Sequence, residues 1–177
     1  FLPHKENKVS MYVCGPTVYS APHIGNARAA LVGDLFYRLL QKLYEEVIYI
    51  RNLTDVDDKI IAVANEEGVD FLEVANRNID DYFECMDSLN VIRADAYPRV
   101  TETVPEIIEM ISQLLEKGHA YQADDGVYFE IETSPEKYGQ LTGQTLEMVR
   151  AGAGGRVSKT GSGKRDHRDF ALWKARK

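Results

Sequence analysis

Met11-Tyr12-Val13-Cys14-Gly15-Pro16-Thr17-Val18-Tyr19, followed closely by Pro22-His23-Ile24-Gly25-Asn26, decides how this chain is read. Residues 9–13 have the apolar character of a short buried strand, and Gly15-Pro16 ends it. Over residues 27–43 the apolar side chains recur at helical spacing. Leu31, Leu35, Leu39 and Leu43 lie on one line, with Val32, Phe36 and Leu40 beside it, the spacing of an amphipathic helix. Residues 47–51, Val-Ile-Tyr-Ile-Arg, are β-branched and aromatic and predict a second strand. Strand, long helix and strand in that order form a βαβ unit with parallel pairing and a right-handed crossover. A thiol then stands at the end of the first strand and an imidazole at the start of the helix.

Further along, Asp57 and Asp70 are placed to start two more helices, and Gly68 to end the first of them. A helix over residues 103–117 carries Ile107, Ile108, Ile111, Leu114 and Leu115 and ends at Gly118. Residues 120–131 read as a hairpin around Asp124-Asp125-Gly126. The Gly-rich stretch 152–163 reads as a mobile loop. The expected fold is α/β: a Rossmann-like parallel sheet with helices on both faces, interrupted by an insertion that contains the hairpin. The boundary is expected at 118/119.

Composition limits the function. With 177 residues and 44% hydrophobic content, the chain can bury a core. A net charge of −7 excludes a wholly basic nucleic-acid wrapper, so a nucleic-acid partner requires a local patch. Lys159, Lys164, Arg165, Arg168, Lys174, Arg176 and Lys177 form the only dense basic run, read as a solvated loop and tail. Two cysteines, Cys14 and Cys85, form no disulfide framework and fit a reducing compartment. No apolar stretch is long enough to span a bilayer, and no membrane partner is expected.

The tip of a helix exposes unpaired N–H groups and positive partial charge, so His23-Ile24-Gly25-Asn26 is a candidate phosphate site. Gly25 removes a side chain where a nucleotide approaches the backbone. His23 and Asn26 are donors that would stabilise charge growing on a phosphorus. A lone four-residue match is weak evidence and by itself fits an ordinary strand-to-helix turn with a solvated histidine cap better. Asp55, Asp57 and Asp58 look like an acid cluster. They read better as one helix cap plus charges favoured by the helix's positive end. Cys85, on a helix, reads as core packing.

These motifs together resemble the cysteinyl-tRNA synthetases, a class I aminoacyl-tRNA synthetase family. Residues 11–19 and 22–28 carry the resemblance, with Arg51-Asn52-Leu53-Thr54-Asp55-Val56-Asp57-Asp58-Lys59-Ile60-Ile61 and Asp169-Phe170-Ala171-Leu172-Trp173-Lys174 in the family order. The resemblance implies a HUP-type nucleotide-binding fold. Residues 1–118 would form the first half of the catalytic domain, and residues 119–177 part of its connective insertion. It implies ATP-dependent activation of L-cysteine to cysteinyl-adenylate, then transfer to tRNA(Cys), by a cytoplasmic monomer. His23 and Asn26 take the catalytic places. Thr17, His23, Gly25 and Asn26 take the ATP-binding places, and Gly15 and Thr54 the substrate-cysteine places. Cys14 matches the first ligand of one zinc ion per subunit, and Mg2+ accompanies ATP. Zinc prefers sulfur donors, so it separates cysteine from serine better than an apolar pocket does. The family's other zinc ligands, its KMSKS loop and its anticodon-binding region are expected after Lys177. Two rival readings remain: a cysteine ligase of mycothiol synthesis with an amino-sugar acceptor, and a non-catalytic synthetase-like nucleotide-binding module.

Overall fold

A computed structural model describes residues 3, 5–143 and 163–175. The chain divides into two compact units, Phe1–Val104 and Pro105–Lys177. The division falls before the helix that the sequence reading placed in the first half.

In the first unit, β1 (Lys8–Val13) and β2 (Glu46–Arg51) pair in parallel, with Lys8 opposite Glu46 and Val13 opposite Arg51. Helix α1 (Ile24–Leu43) makes the crossover between them, as the βαβ reading requires. The far edge of β2 is met by residues 95–99. The Asp95 amide donates to the Tyr49 carbonyl at 2.8 Å, Arg51 to Ala96 at 3.1 Å, and Leu53 to Pro98 at 2.9 Å.

α1 has the expected period. Its buried residues are Ala27, Ala30, Gly33, Asp34 and Tyr37. Within this chain the leucine stripe is largely open: Leu35 is 67% exposed and Phe36 59%. Small side chains let the helix come close to the sheet, and a Cβ on Gly33 would sit 3.1 Å from the Tyr49 hydroxyl. The Asp34 carboxylate on this face is satisfied by the Ile92 amide at 2.9 Å and by Arg38 Nε at 2.7 Å.

Helices α2 (Asp58–Glu67) and α3 (Phe71–Ser88) begin and end as the sequence indicates. Asp57 caps α2 by accepting from the Lys59 amide at 3.0 Å, and Asp70 caps α3 by accepting from the Leu72 amide at 2.8 Å. Gly68 ends α2 at φ +70°, where a side chain would be strained. Val18, Ala30, Leu53, Ile60, Val74 and Ile79 belong to one buried cluster. Cys85 is exposed, which corrects the core-packing expectation: the inner face of α3 is taken by Val74, Asn78, Tyr82 and Met86. Asp55 also departs from its expected role. It is fully buried and accepts from the Thr101 amide at 3.1 Å and its hydroxyl at 2.5 Å, so it anchors a loop and does not face a helix end.

The second unit holds α4 (Val104–Glu116) and an antiparallel sheet in the order β3 (Ala120–Ala123), β4 (Gly126–Phe129), β5 (Phe170–Lys174). Gly126 is the first residue of β4, at φ +153°, and a Cβ there would lie 2.2 Å from the Trp173 carbonyl oxygen. It serves the close approach of β5 as much as the turn. Asp169 is buried and accepts from the Tyr121 hydroxyl at 2.7 Å and from the Ile131 and Asp166 amides, each at 3.1 Å. The mobile-loop reading of 152–163 lies outside the described residues except for Gly163.

Candidate active site

His23 is the N-cap of α1. Its extended backbone (φ −117°, ψ 175°) aims the imidazole back at the first turn, where Nδ1 accepts the Gly25 amide at 3.0 Å. The Asn26 side-chain oxygen accepts the His23 amide at 3.0 Å, completing a capping box. Two consequences follow. An Nδ1 that accepts a hydrogen bond leaves the neutral ring's proton on Nε2. An Asn26 whose oxygen is engaged leaves its NH2 group as the free donor. The first turn carries no acidic side chain, so nothing there opposes an anion.

The cap also changes the role of Gly25. A Cβ at this position would lie 2.8 Å from His23 Cε1 and 3.0 Å from Nδ1. Glycine is therefore needed for the imidazole to fold onto the helix. The backbone amides of Gly25, Asn26 and Ala27 are all engaged with His23. The donors that remain for a ligand are mainly the side-chain N–H groups of His23 and Asn26, not the run of bare amides expected from the sequence.

The loops that leave β1 and β2 are joined. Thr17 and Thr54 form a parallel bridge, through the Val18 amide to the Thr54 carbonyl at 3.2 Å and the Thr54 amide to the Pro16 carbonyl at 3.1 Å. Asn52 stands between Gly15 and Thr54. Its Oδ1 accepts the Gly15 amide at 2.8 Å, and its Nδ2 donates to Thr54 Oγ1 at 3.3 Å. A Cβ on Gly15 would lie 1.6 Å from the Asn52 carbonyl oxygen. The fold thus brings Gly15, Thr17 and Thr54 to the carboxyl ends of two parallel strands, where α/β sheets bind ligands.

A cavity of about 150 Å3 lies beside the helix tip, lined among others by Thr17, Tyr19, His23, Asn26, Asn78 and Tyr82. Asn78 and Tyr82, one turn apart on α3, escaped the sequence reading. An aromatic and an amide on an otherwise apolar face were its only signal. Burial pushes the Tyr82 phenol up to about 12, so it stays protonated. Arg51, at the end of β2, is buried with its guanidinium 5.7 Å from the Tyr82 ring centroid. Its Nε has no hydrogen-bond partner among the described residues.

Cys14 directly follows β1, is exposed, and its thiol donates to the Gly15 carbonyl at 3.6 Å. It does not line the cavity. Among the described residues no group of three or more His, Cys, Asp or Glu side chains is arranged to hold a metal. One thiol supplies a single corner of a tetrahedral zinc site. These residues do not fit a zinc centre without further donors.

The whole chain, residues 1–177, matches the family model described as tRNA synthetases class I (C) catalytic domain. It is 48% identical to a cysteine--tRNA ligase of Pyrococcus furiosus over 177 residues, all of this chain and 36% of the relative. It is 50% identical to that of Syntrophobacter fumaroxidans, again over all of this chain and 35% of the relative. The chain therefore spans about a third of the curated relatives it matches. A solved Mycobacterium tuberculosis methionyl-tRNA synthetase in complex with methionyl-adenylate covers 70% of this chain and 25% of its own, with TM-score 0.56 and 22% identity. That likeness shows the fold: a class I synthetase arrangement of parallel strands and helices.

Proposed function

The chain belongs to the family of class I (C) tRNA synthetase catalytic domains, and from that premise we propose that it is part of an enzyme that activates L-cysteine with ATP and transfers it to tRNA(Cys). The observation that carries the reading is the His23 cap. One hydrogen bond from Gly25 fixes the imidazole with its remaining N–H outward, beside the Asn26 amide and the positive end of α1. These two donors suit the phosphates of ATP. As the cysteine carboxylate attacks the α-phosphorus, the bond to the bridging oxygen of pyrophosphate breaks and negative charge shifts onto phosphate oxygens. Donors fixed before that moment stabilise the transition state without reorganising. The carboxylate is already ionised at neutral pH, so the step requires no protein base.

Thr17 and Gly25 complete the ATP side in this reading, and Gly15 and Thr54 hold the amino acid. Cys14 would supply one thiolate of a zinc centre, with other donors from parts of the protein outside this chain. Zinc bound there would select a thiol over a hydroxyl. Mg2+ would accompany ATP. Residues 1–118 are assigned to the first half of the catalytic domain and 119–177 to a connective insertion. A cytoplasmic monomer is the accompanying assignment. Free cysteines support a reducing compartment, and no helix among the described residues is long and apolar enough to cross a membrane.

Cysteine-dependent ATP–pyrophosphate exchange, measured on the whole protein that contains this chain, tests the proposal. Exchange should appear with cysteine and not with serine. No exchange with any amino acid would favour the non-catalytic module.

A further inference from the structure

Asn52 lies directly after β2, and every polar atom of its side chain is engaged. Oδ1 accepts two hydrogen bonds, from the Gly15 amide at 2.8 Å and the Tyr12 hydroxyl at 2.9 Å. Nδ2 donates to Thr54 Oγ1 at 3.3 Å. The Gly15 N–H on that oxygen fixes the orientation of the amide, because a flipped group would turn its NH2 against a backbone donor that cannot accept. The amide nitrogen is thereby committed to Thr54. A hydroxyl that accepts from Asn52 has its own O–H left to give, and Thr54 Oγ1 donates to nothing among the described residues.

We propose that Asn52 is a positioning residue that sets the Thr54 hydroxyl as a donor toward an acceptor oxygen of the amino-acid substrate, its carboxylate. This inference rests on the reading of Thr54 as part of the cysteine side of the site. Tyr12 belongs to the same device: its hydroxyl holds the amide from the strand side, although most of the ring is exposed. With one lone pair of Thr54 Oγ1 taken by Asn52, its O–H is left to meet an acceptor oxygen.

The test is a double-mutant cycle in the whole protein, read as KM for cysteine in ATP–pyrophosphate exchange with KM for ATP as the internal control. Asn52→Asp keeps an oxygen for Gly15 and Tyr12 but turns the donor facing Thr54 into an acceptor. The Thr54 hydroxyl then donates to the new carboxylate and is lost to the substrate. KM for cysteine should rise about 10- to 100-fold, the range for a hydrogen bond to a charged acceptor, while KM for ATP stays within about twofold. Thr54→Val should give a rise of similar size. Because the charge of Asp would itself repel the substrate carboxylate, the cycle uses Asn52→Ala: with Thr54→Val it should be no worse than Thr54→Val alone, since Asn52 acts through that hydroxyl. Additive effects would overturn the inference and leave the site reading standing. An unchanged cysteine KM in Thr54→Val would remove the site reading and this inference with it. Tyr12→Phe guards against a variant that fails to fold, since Tyr12 is largely exposed. It should raise the cysteine KM a few-fold without moving the ATP KM, and equal changes in both would overturn the positioning role.

Discussion

His23 Nδ1 accepts the backbone N–H of Gly25 at 3.0 Å, and this bond both caps a helix and fixes which ring nitrogen faces outward. A residue placed at the expected phosphate site is thus also the start of α1. Its two roles separate by measurement.

Gly25→Ala should lose the cap. The added Cβ would lie 2.8 Å from His23 Cε1. Displacing a side-chain cap typically costs about 0.5–2 kcal/mol. The urea midpoint should fall accordingly, and exchange should fall by about tenfold or more as the ring leaves its orientation. Unchanged stability and exchange would show that the capping contact is idle.

Gly15→Ala should be worse for folding. Its Cβ would lie 1.6 Å from the Asn52 carbonyl oxygen, a backbone atom that cannot rotate away. The loops after β1 and β2 would have to part. We expect a loss of about 2 kcal/mol or more, in the range of strongly disruptive substitutions. A wild-type melting temperature with intact exchange would contradict the close approach.

The two faces of α1 should respond oppositely in the chain described. Leu35→Gln and Phe36→Gln alter largely exposed side chains and should shift stability by no more than about 0.5 kcal/mol. Ala30→Leu inserts bulk at a fully buried position and should cost about 1–3 kcal/mol. Denaturant titrations decide it, and the reverse ranking would contradict the packing of Ala30.

Acid should weaken the second unit through Asp166. The side-chain hydrogen bond from Arg168 holds this carboxyl well below its usual range, helped by the Arg168 amide. A depressed folded-state value means the stabilisation is full above the unfolded value, about 3.9, and is lost as pH falls toward the folded one. Asp166→Asn should therefore lose most relative to wild type near neutral pH, with the gap closing on acidification. A gap that does not change between pH 6 and 3 would contradict this. The pair is partly solvent-exposed, so its contribution is small.

The sequence shows the βαβ unit because alternation of strand, helix and strand is written in residue type. It also shows helix ends at Asp57, Gly68 and Asp70, where local chemistry alone sets the backbone. Which side of α1 packs within this chain was not legible: Ala27, Ala30 and Gly33 face inward, a choice that depends on partners distant in sequence. Cys85 misled for a related reason: on α3 the inner positions are held by Asn78 and Tyr82, and helical phase, not thiol character, decides exposure. In the site, His23 and Asn26 were legible as donors, but the capping box that orients them is a property of three-dimensional geometry. Asn52 went unnoticed because its importance lies in its bonds to Gly15 and Tyr12, residues far from it along the chain.

The most direct test of the account is cysteine-dependent ATP–pyrophosphate exchange in the whole protein carrying His23→Ala. Loss of one fixed donor to the charge developing in the transition state predicts a fall of about 10²–10³-fold. Exchange at the wild-type rate, in a variant that remains folded, would contradict the role assigned to the helix tip.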